Sequence, residues 1–441
     1  MNDKGEVLSG VSVVEKGTNN GVVTDADGRF VIQVKDQNAI LQISYVGFKS
    51  QEISASSSNI NVVLESEGGD LSDVVIVGYG SLKKSDITGA VSSIKGSDLT
   101  KLPTGRVDQA LQGRAAGVFV LNTDGAPGGQ VTIRIRGMNS INGGNNALIV
   151  VDGLQGVDLK SINPNDIESM EILKDASATA IYGAQGANGV VLITTKRGKT
   201  GKPTIGYNFT YGLQKLAKKL DVMNAADYAR KVNEFELAQN GSGRNPSPVF
   251  SDAEIANFEK NGGTDWQDVI YRTAPIQNHE LSVSGGLENL QYLISGGYLN
   301  QKGIMLNSDY ERYALRANVN TNITKWLQFG VNWAGTREHM SSAPFGGDNG
   351  VGLLATASLI APRWAPTEPV YDEDGSYHRH SNRHGPSDTW NPLASTIEPF
   401  IDNNVNKNAL NTSLNFKIWK GLALEITGGA FITNTNNQNY F

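Results

Sequence analysis

Cysteine is absent from the 441 residues. That excludes a disulfide scaffold, a thiolate zinc site and a thiol nucleophile. Long apolar runs are absent as well. No stretch reaches the roughly 18 residues of a transmembrane helix, which excludes a helical membrane protein. It does not exclude a β-barrel, whose strands are short and only half apolar. Excess basic charge is missing too. The formal net charge is −6, which argues against nucleic acid as a partner. The start, Met1-Asn2-Asp3-Lys4, lacks the basic and apolar regions of a signal peptide. If the protein is exported, the start of the chain is expected to be missing. No Ser-His-Asp order and no paired carboxylates in a defined scaffold are visible, so the chain does not read as an enzyme. Glycine, in contrast, is abundant at 50 residues of 441, against a usual share of roughly 7%. The excess points to many tight turns and bulged strands.

The chain divides by pattern. Residues 1–66 read as a small all-β sandwich, with β-branched runs at Val11–Glu15, Gly21–Thr24, Arg29–Val34, Ile40–Tyr45 and Ile60–Leu64. Asp25-Ala26-Asp27-Gly28 is a hairpin turn by composition. Residues 67–89 form a Gly-rich polar linker around one apolar segment, Val74-Val75-Ile76-Val77. Residues 90–200 mix short strands and helices into an α+β domain. Helix signals lie at Arg106–Gly113, at Asn163-Pro164-Asn165-Asp166, and at Asp175, which is placed to cap Ala176–Tyr182 before Gly183. Val131–Arg136, Ala147–Val151 and Val190–Lys196 read as strands.

From residue 204 onward seven segments alternate with period two. In the fourth, Tyr313, Leu315, Ala317 and Val319 oppose Arg316, Asn318 and Asn320. In the third the contrast is weakened by Leu293 and Leu299. Long and short connections alternate, with short ones near 286–289, 324–325 and 420–421. An up-and-down meander then has all its short turns at one end and all its long loops at the other. This is the layout of an outer-membrane barrel. Polar faces of Asn, Ser and Gly suit a lumen. Tyr211, Tyr292, Tyr298 and Trp333 suit interfacial girdles. Asn224–Gln239 and Asp252–Lys260 read as amphipathic helices in the first long loop.

Several motifs resemble one family in order and spacing. They are Gly21–Val34 with Ile43–Phe48, Leu71–Gly80 (LSDVVIVGYG), Leu111-Gln112-Gly113, Ile133–Gly137, Val150-Val151-Asp152-Gly153, the run Ile162–Lys196, and Thr264–Asp268. Together they resemble a SusC/RagA-like TonB-dependent outer-membrane transporter. The resemblance implies a mainly β chain. A carboxypeptidase-regulatory-like β-sandwich (1–66, first strand missing) precedes a linker with a TonB-box-like segment (67–89). A plug domain (90–200) and the first strands, about seven, of an incomplete antiparallel transmembrane β-barrel (201–441) follow. Such barrels close with about 22 strands, so both ends are read as truncated. The implied function is TonB-dependent import of an oligosaccharide or peptide, with a SusD-like lipoprotein as partner. The implied location is the outer membrane, with the sandwich and coupling segment on the periplasmic side and no nucleic acid among the partners. The alternative is a β-rich surface binding protein or adhesin without transport.

Candidate site residues follow. Asp73, Val74, Val75, Ile76, Val77, Gly78 and Tyr79 form the TonB-coupling segment, an extended peptide suited to adding a strand to a partner's sheet edge. A plain linker strand is the alternative. A dinucleotide fingerprint is not supported, because Lys83 stands where its third glycine belongs. Arg134 and Arg136 are two apart on a strand. They are expected to share a face and, by the resemblance, to pair with acids inside the barrel wall; a solvated strand face is the alternative. In the longest loop Trp364, Tyr371, Tyr377 and Trp390 are candidate ligand contacts through their ring faces; the alternative is that they pack the loop onto its neighbours. Asp25, Asp27 and Gly28, like Asp372, Asp374 and Gly375, read as turns rather than calcium sites. His378, His380 and His384 read as a solvated loop rather than a zinc site. No metal or cofactor is assigned.

Overall fold

The computed structural model describes residues 7–440 apart from 19, 26, 35, 37–38, 46–47, 49, 56–59, 65–73, 78–79, 84–90, 102–104, 123–124, 239–246, 343–356, 380–390 and 399. The chain falls into two compact units. One is residues 1–75 with 82–86, the other 76–81 with 87–441.

In the first unit, β1 (Ser12–Glu15), β2 (Gly21–Val23), β3 (Ile40–Ser44) and β4 (Gln51–Ser54) make one antiparallel sheet in the order β2-β1-β3-β4. Its inner face buries Val13, Leu41 and Ile43. Expected strands at 29–34 and 60–64 are absent as ladder strands, and β4 was not expected. The alternation there is nonetheless meaningful. Phe30, Ile32, Val34, Ile60 and Val62 pack on the core and so supply a second layer without strand pairing. β4 lacked a signal because Gln51, Glu52 and Ser54 are polar on both faces. The turn at Asp25 is built as expected. The Gly28 amide donates to Asp25 O at 3.0 Å, and Asp25 Oδ1 accepts the amides of Asp27 and Arg29.

Val74–Val77 forms β5 and Gly80–Lys83 forms β6, together a two-stranded sheet. Asp73, Gly78 and Tyr79 lie outside the described residues.

The α+β domain holds β7 (Val91–Lys95), β8 (Val118–Asn122), β9 (Val131–Ile135), β10 (Leu148–Val151), β11 (Leu154–Gln155), β12 (Ile167–Leu173) and β13 (Val190–Thr195). Five of them form a mixed sheet, β11-β10-β13-β12-β7, and β8 and β9 form a separate two-stranded sheet. The central strand β13 reads as a continuous apolar run because both faces are covered. Val191 and Ile193 face one core, Val190 and Leu192 the other. Asn163 caps a single turn, Pro164–Asp166, by accepting the Asn165 amide. Asp175 does not cap its helix. That helix is short, Ala176–Thr179, and continues as a 3-10 segment kinked at Gly183 (φ 58°).

The wall is a meander of seven long strands: β14 (Gly201–Gln214), β15 (Ala274–Leu287), β16 (Leu290–Lys302), β17 (Asp309–Asn322), β18 (Leu327–Ser342), β19 (Phe400–Trp419) and β20 (Leu422–Tyr440). Each pairs antiparallel with the next and the sheet does not close. The connections 288–289, 323–326 and 420–421 lie at one end. Those at 215–273, 303–308 and 343–399 lie at the other. One face exposes Tyr207, Leu281, Ile294, Leu315, Leu410 and Ile426. The other buries Asn278, Glu280, Ser295, Arg312, Arg316 and Asn318 against the α+β domain. Leu293 and Leu299 also lie on this inner face and are buried, which explains why they blurred the alternation. Leu299 sits where a Cβ on Gly105 would come within 2.5 Å of its side chain.

Candidate functional site

The seam between the α+β domain and the wall is a line of charged contacts. Its centre is a hairpin turn. β10 and β11 pair Val151 with Leu154, leaving only Asp152 and Gly153 between them, at φ 48° and 88°. Asp-Gly is the composition such a two-residue turn needs, since both residues must adopt positive φ. The turn aims the Asp152 carboxylate at the wall. Oδ2 accepts from Arg316 at 3.1 Å and from Asn332, while Oδ1 accepts the Thr195 amide at 3.0 Å. Arg316 also donates to Asn332 Oδ1 at 3.1 Å, and Asn411 donates to the Asp152 carbonyl at 2.6 Å. Arg316 and Asp152 are 7% and 4% exposed, so each charge depends on the other for compensation.

A second node lies toward the long-loop end. Lys407 bridges Asp158 at 2.7 Å and Glu338 at 2.8 Å. Burial alone would raise the Asp158 carboxyl. The Lys407 charge and its hydrogen bond outweigh burial and hold it below its usual range. A third node is Arg312, which donates to the carbonyls of Lys160 (2.7 Å), Ile162 (3.3 Å) and Gly105 (3.2 Å). Ser295 donates to Asp166 at 2.7 Å.

At these nodes the cations Arg312, Arg316 and Lys407 stand on the wall and find acceptors on the α+β domain. Among the described residues Arg136 pairs with Asp175 of its own domain. It also lies beyond the end of β9 with φ 58°, so it does not share a strand face with Arg134. Arg134 lies opposite Phe119 in the β8–β9 pair, and its Nε is buried without a hydrogen bond among the described residues. Arg312, Arg316 and Lys407 were missed as site residues. Their signal was a cation in the inner phase of a barrel strand, which calls for a partner inside the lumen.

The two longest loops pack on each other. Asp265 caps the helix Trp266–Ile270 by accepting the amides of Gln267 and Asp268, and so fixes Trp266. Trp266 meets Trp364 edge-on at 5.6 Å and donates its Nε1 to Ala365 O at 2.9 Å. Trp364 is 3% exposed, so this ring takes the packing alternative rather than an open ligand-contacting position. Trp364→Ala is expected to destabilise this cluster by about 3–5 kcal/mol, read as faster proteolysis of both loops. The helices Ala225–Ala238 and Asp252–Asn261 form as expected, the second opened by a Ser251–Glu254 capping box.

Tyr371 and Tyr377 pair across a small hairpin with rings stacked at 5.4 Å, and Tyr371 is exposed. Asp372 and Gly375 close its turn. Trp390, His380 and His384 lie outside the described residues. His378 closes the hairpin base, with Nδ1 at 2.6 Å from Asp372 and Nε2 at 2.5 Å from Glu368. Burial opposes its protonation, but the two carboxylates prevail and raise its pKa above 6.5. A raised folded pKa stabilises the protonated state. The stabilisation is full below the unfolded pKa of about 6.5 and is lost as pH rises through the higher folded value. Protease protection of 368–378 is expected to fall over that window, and His378→Gln is expected to abolish the pH dependence.

Comparison with known proteins matches this architecture. Residues 83–190 match the TonB-dependent receptor plug domain, and residues 1–77 the CarboxypepD_reg-like domain. A TonB-dependent receptor of Formosa agariphila is 40% identical over 98% of this chain and 41% of its own length. The TonB-dependent receptor SusC of Bacteroides thetaiotaomicron is 37% identical over 85% of this chain and 36% of its own. The RagAB peptide importer in its open-open state aligns with a TM-score of 0.69 at 29% identity, over 83% of this chain and 43% of that one. The chain thus spans about two-fifths of the length of these relatives, which are receptors and importers rather than enzymes. With its plug, its regulatory-like domain and its open seven-stranded wall, the chain is SusC/RagA-like, of the TonB-dependent receptor kind.

Proposed function

We propose that the full-length protein imports an oligosaccharide or a peptide across the outer membrane, energised by TonB, with a SusD-like lipoprotein over its external loops. The seam carries this reading. A lumen filled by a separately folded plug, and held by a few charged nodes, is a closed gate rather than an open pore. The likeness to SusC and to the RagAB peptide importer supports nutrient as the cargo class. The apolar outer face of the wall meets lipid. The long loops face outward, and residues 1–89 lie on the periplasmic side. Val74–Val77 serves as the strand that TonB takes up by edge pairing. Tyr371, Tyr377 and Trp390 contact the ligand, because aromatic faces pack well on sugars and peptide side chains. The experiment is uptake against surface binding in cells whose full-length receptor lacks residues 71–80. Transport requires that uptake be lost and binding kept. An adhesin keeps its whole activity.

A further inference from the structure

Pairing sets the outer face of the wall in rows. One row runs Phe209, His279, Tyr298, Tyr313, Arg337, Asn406. The next toward the short turns runs Tyr207, Leu281, Gly296, Leu315, Gly335, Asn408, and beyond it Ile294, Ala317, Trp333 and Leu410 continue the apolar surface. On the other side, toward the long loops, Gln277, Asn300, Glu311 and His339 are polar. The first row is therefore the edge of the apolar band.

Directly below that edge the wall has a shallow, open groove. Gly296 and Gly335 contribute no side chains to its volume of about 660 Å³, and Tyr298, Tyr313, Trp333 and Arg337 also line it. The Trp333 ring lies over Gly335, where a Cβ would come within 2.8 Å of it. At Gly296 there is room, with the nearest side-chain atom 3.9 Å from a Cβ. Arg337 is exposed at the top of the groove and forms no ion pair or hydrogen bond among the described residues. The acid in the next row, Glu311, is occupied by Asn300 at 2.6 Å. A lone cation at the polar edge, above an apolar hollow, complements an anionic head above an acyl chain.

We propose that this groove holds a phosphorylated lipid of the outer leaflet, with an acyl chain over Gly296 beside the Trp333 ring and a phosphate on Arg337. The sidedness rests on the proposed orientation, with long loops outside. The test uses the full-length receptor in detergent micelles. It is loaded with lipid A carrying its phosphates, or with the same lipid dephosphorylated, and read by native mass spectrometry. The phosphorylated form is expected to be retained about fivefold better, one cation's share at an anionic surface. Arg337→Gln should erase that preference and Arg337→Lys keep it. Gly296→Leu should lower retention of both forms by filling the hollow. Equal retention of the two forms by the unaltered receptor overturns the proposal, as does a preference that survives Arg337→Gln. Retention is read without uptake, so a failure here leaves the transport reading standing, and the converse also holds.

Discussion

Asp152→Asn in the full-length receptor is expected to loosen the plug from the wall by about 3–5 kcal/mol, the usual cost of leaving one member of a buried ion pair alone. The substitution keeps the shape of the side chain and tolerates positive φ, so the turn survives. Arg316 keeps its neutral partner Asn332 but loses its counter-charge. Hydrogen exchange at the Thr195 amide, which donates to Asp152 Oδ1, reads the effect directly. Its protection should fall about a hundredfold or more. Asp152→Ala should cost more, because alanine adds the strain of left-handed backbone, about 1–2 kcal/mol. Unchanged protection in Asp152→Asn would mean that hydrogen bonding and packing hold the seam without charge. Arg134→Gln is the control. Its side chain makes no hydrogen bond or ion pair with the wall among the described residues, and it should leave Thr195 protection unchanged.

The wall was legible in the sequence because barrel strands repeat one rule. Ile205 to Leu213 and Tyr313 to Val319 alternate for long enough to assign each side chain a face. The order of short and long connections then fixed the ends. The seam was less legible for two reasons. A plug acceptor such as the Ile162 carbonyl has no side-chain signature. The meeting of Asp152 with Arg316 spans 164 residues, and nothing local marks it. Arg136 misled because its spacing from Arg134 implied a strand that ends one residue earlier. Packing and ligand contact stayed open for Trp364 because exposure in a loop depends on what the loop packs on, here Trp266, almost a hundred residues away. The N-terminal layer was half legible. Phe30, Ile32 and Val34 alternate inward, yet alternation reports burial and not the ladder.

Deleting residues 71–80 is expected to have the largest effect of all. β5 lies in a two-stranded sheet with β6, so a partner strand can add at an outer edge, and its run of β-branched residues suits extended backbone. On the proposed mechanism the deletion removes the handle for TonB and leaves the seam, the loop cluster and the Tyr371–Tyr377 hairpin in place. The central claim is that this chain holds the coupled gate of an importer. Its most direct test is uptake of labelled ligand and equilibrium surface binding, measured in the same cells with and without residues 71–80. The account expects uptake to fall to the level of cells lacking TonB, with binding within about twofold of the unaltered receptor, a difference under 1 kcal/mol. Uptake that persists without residues 71–80 contradicts it.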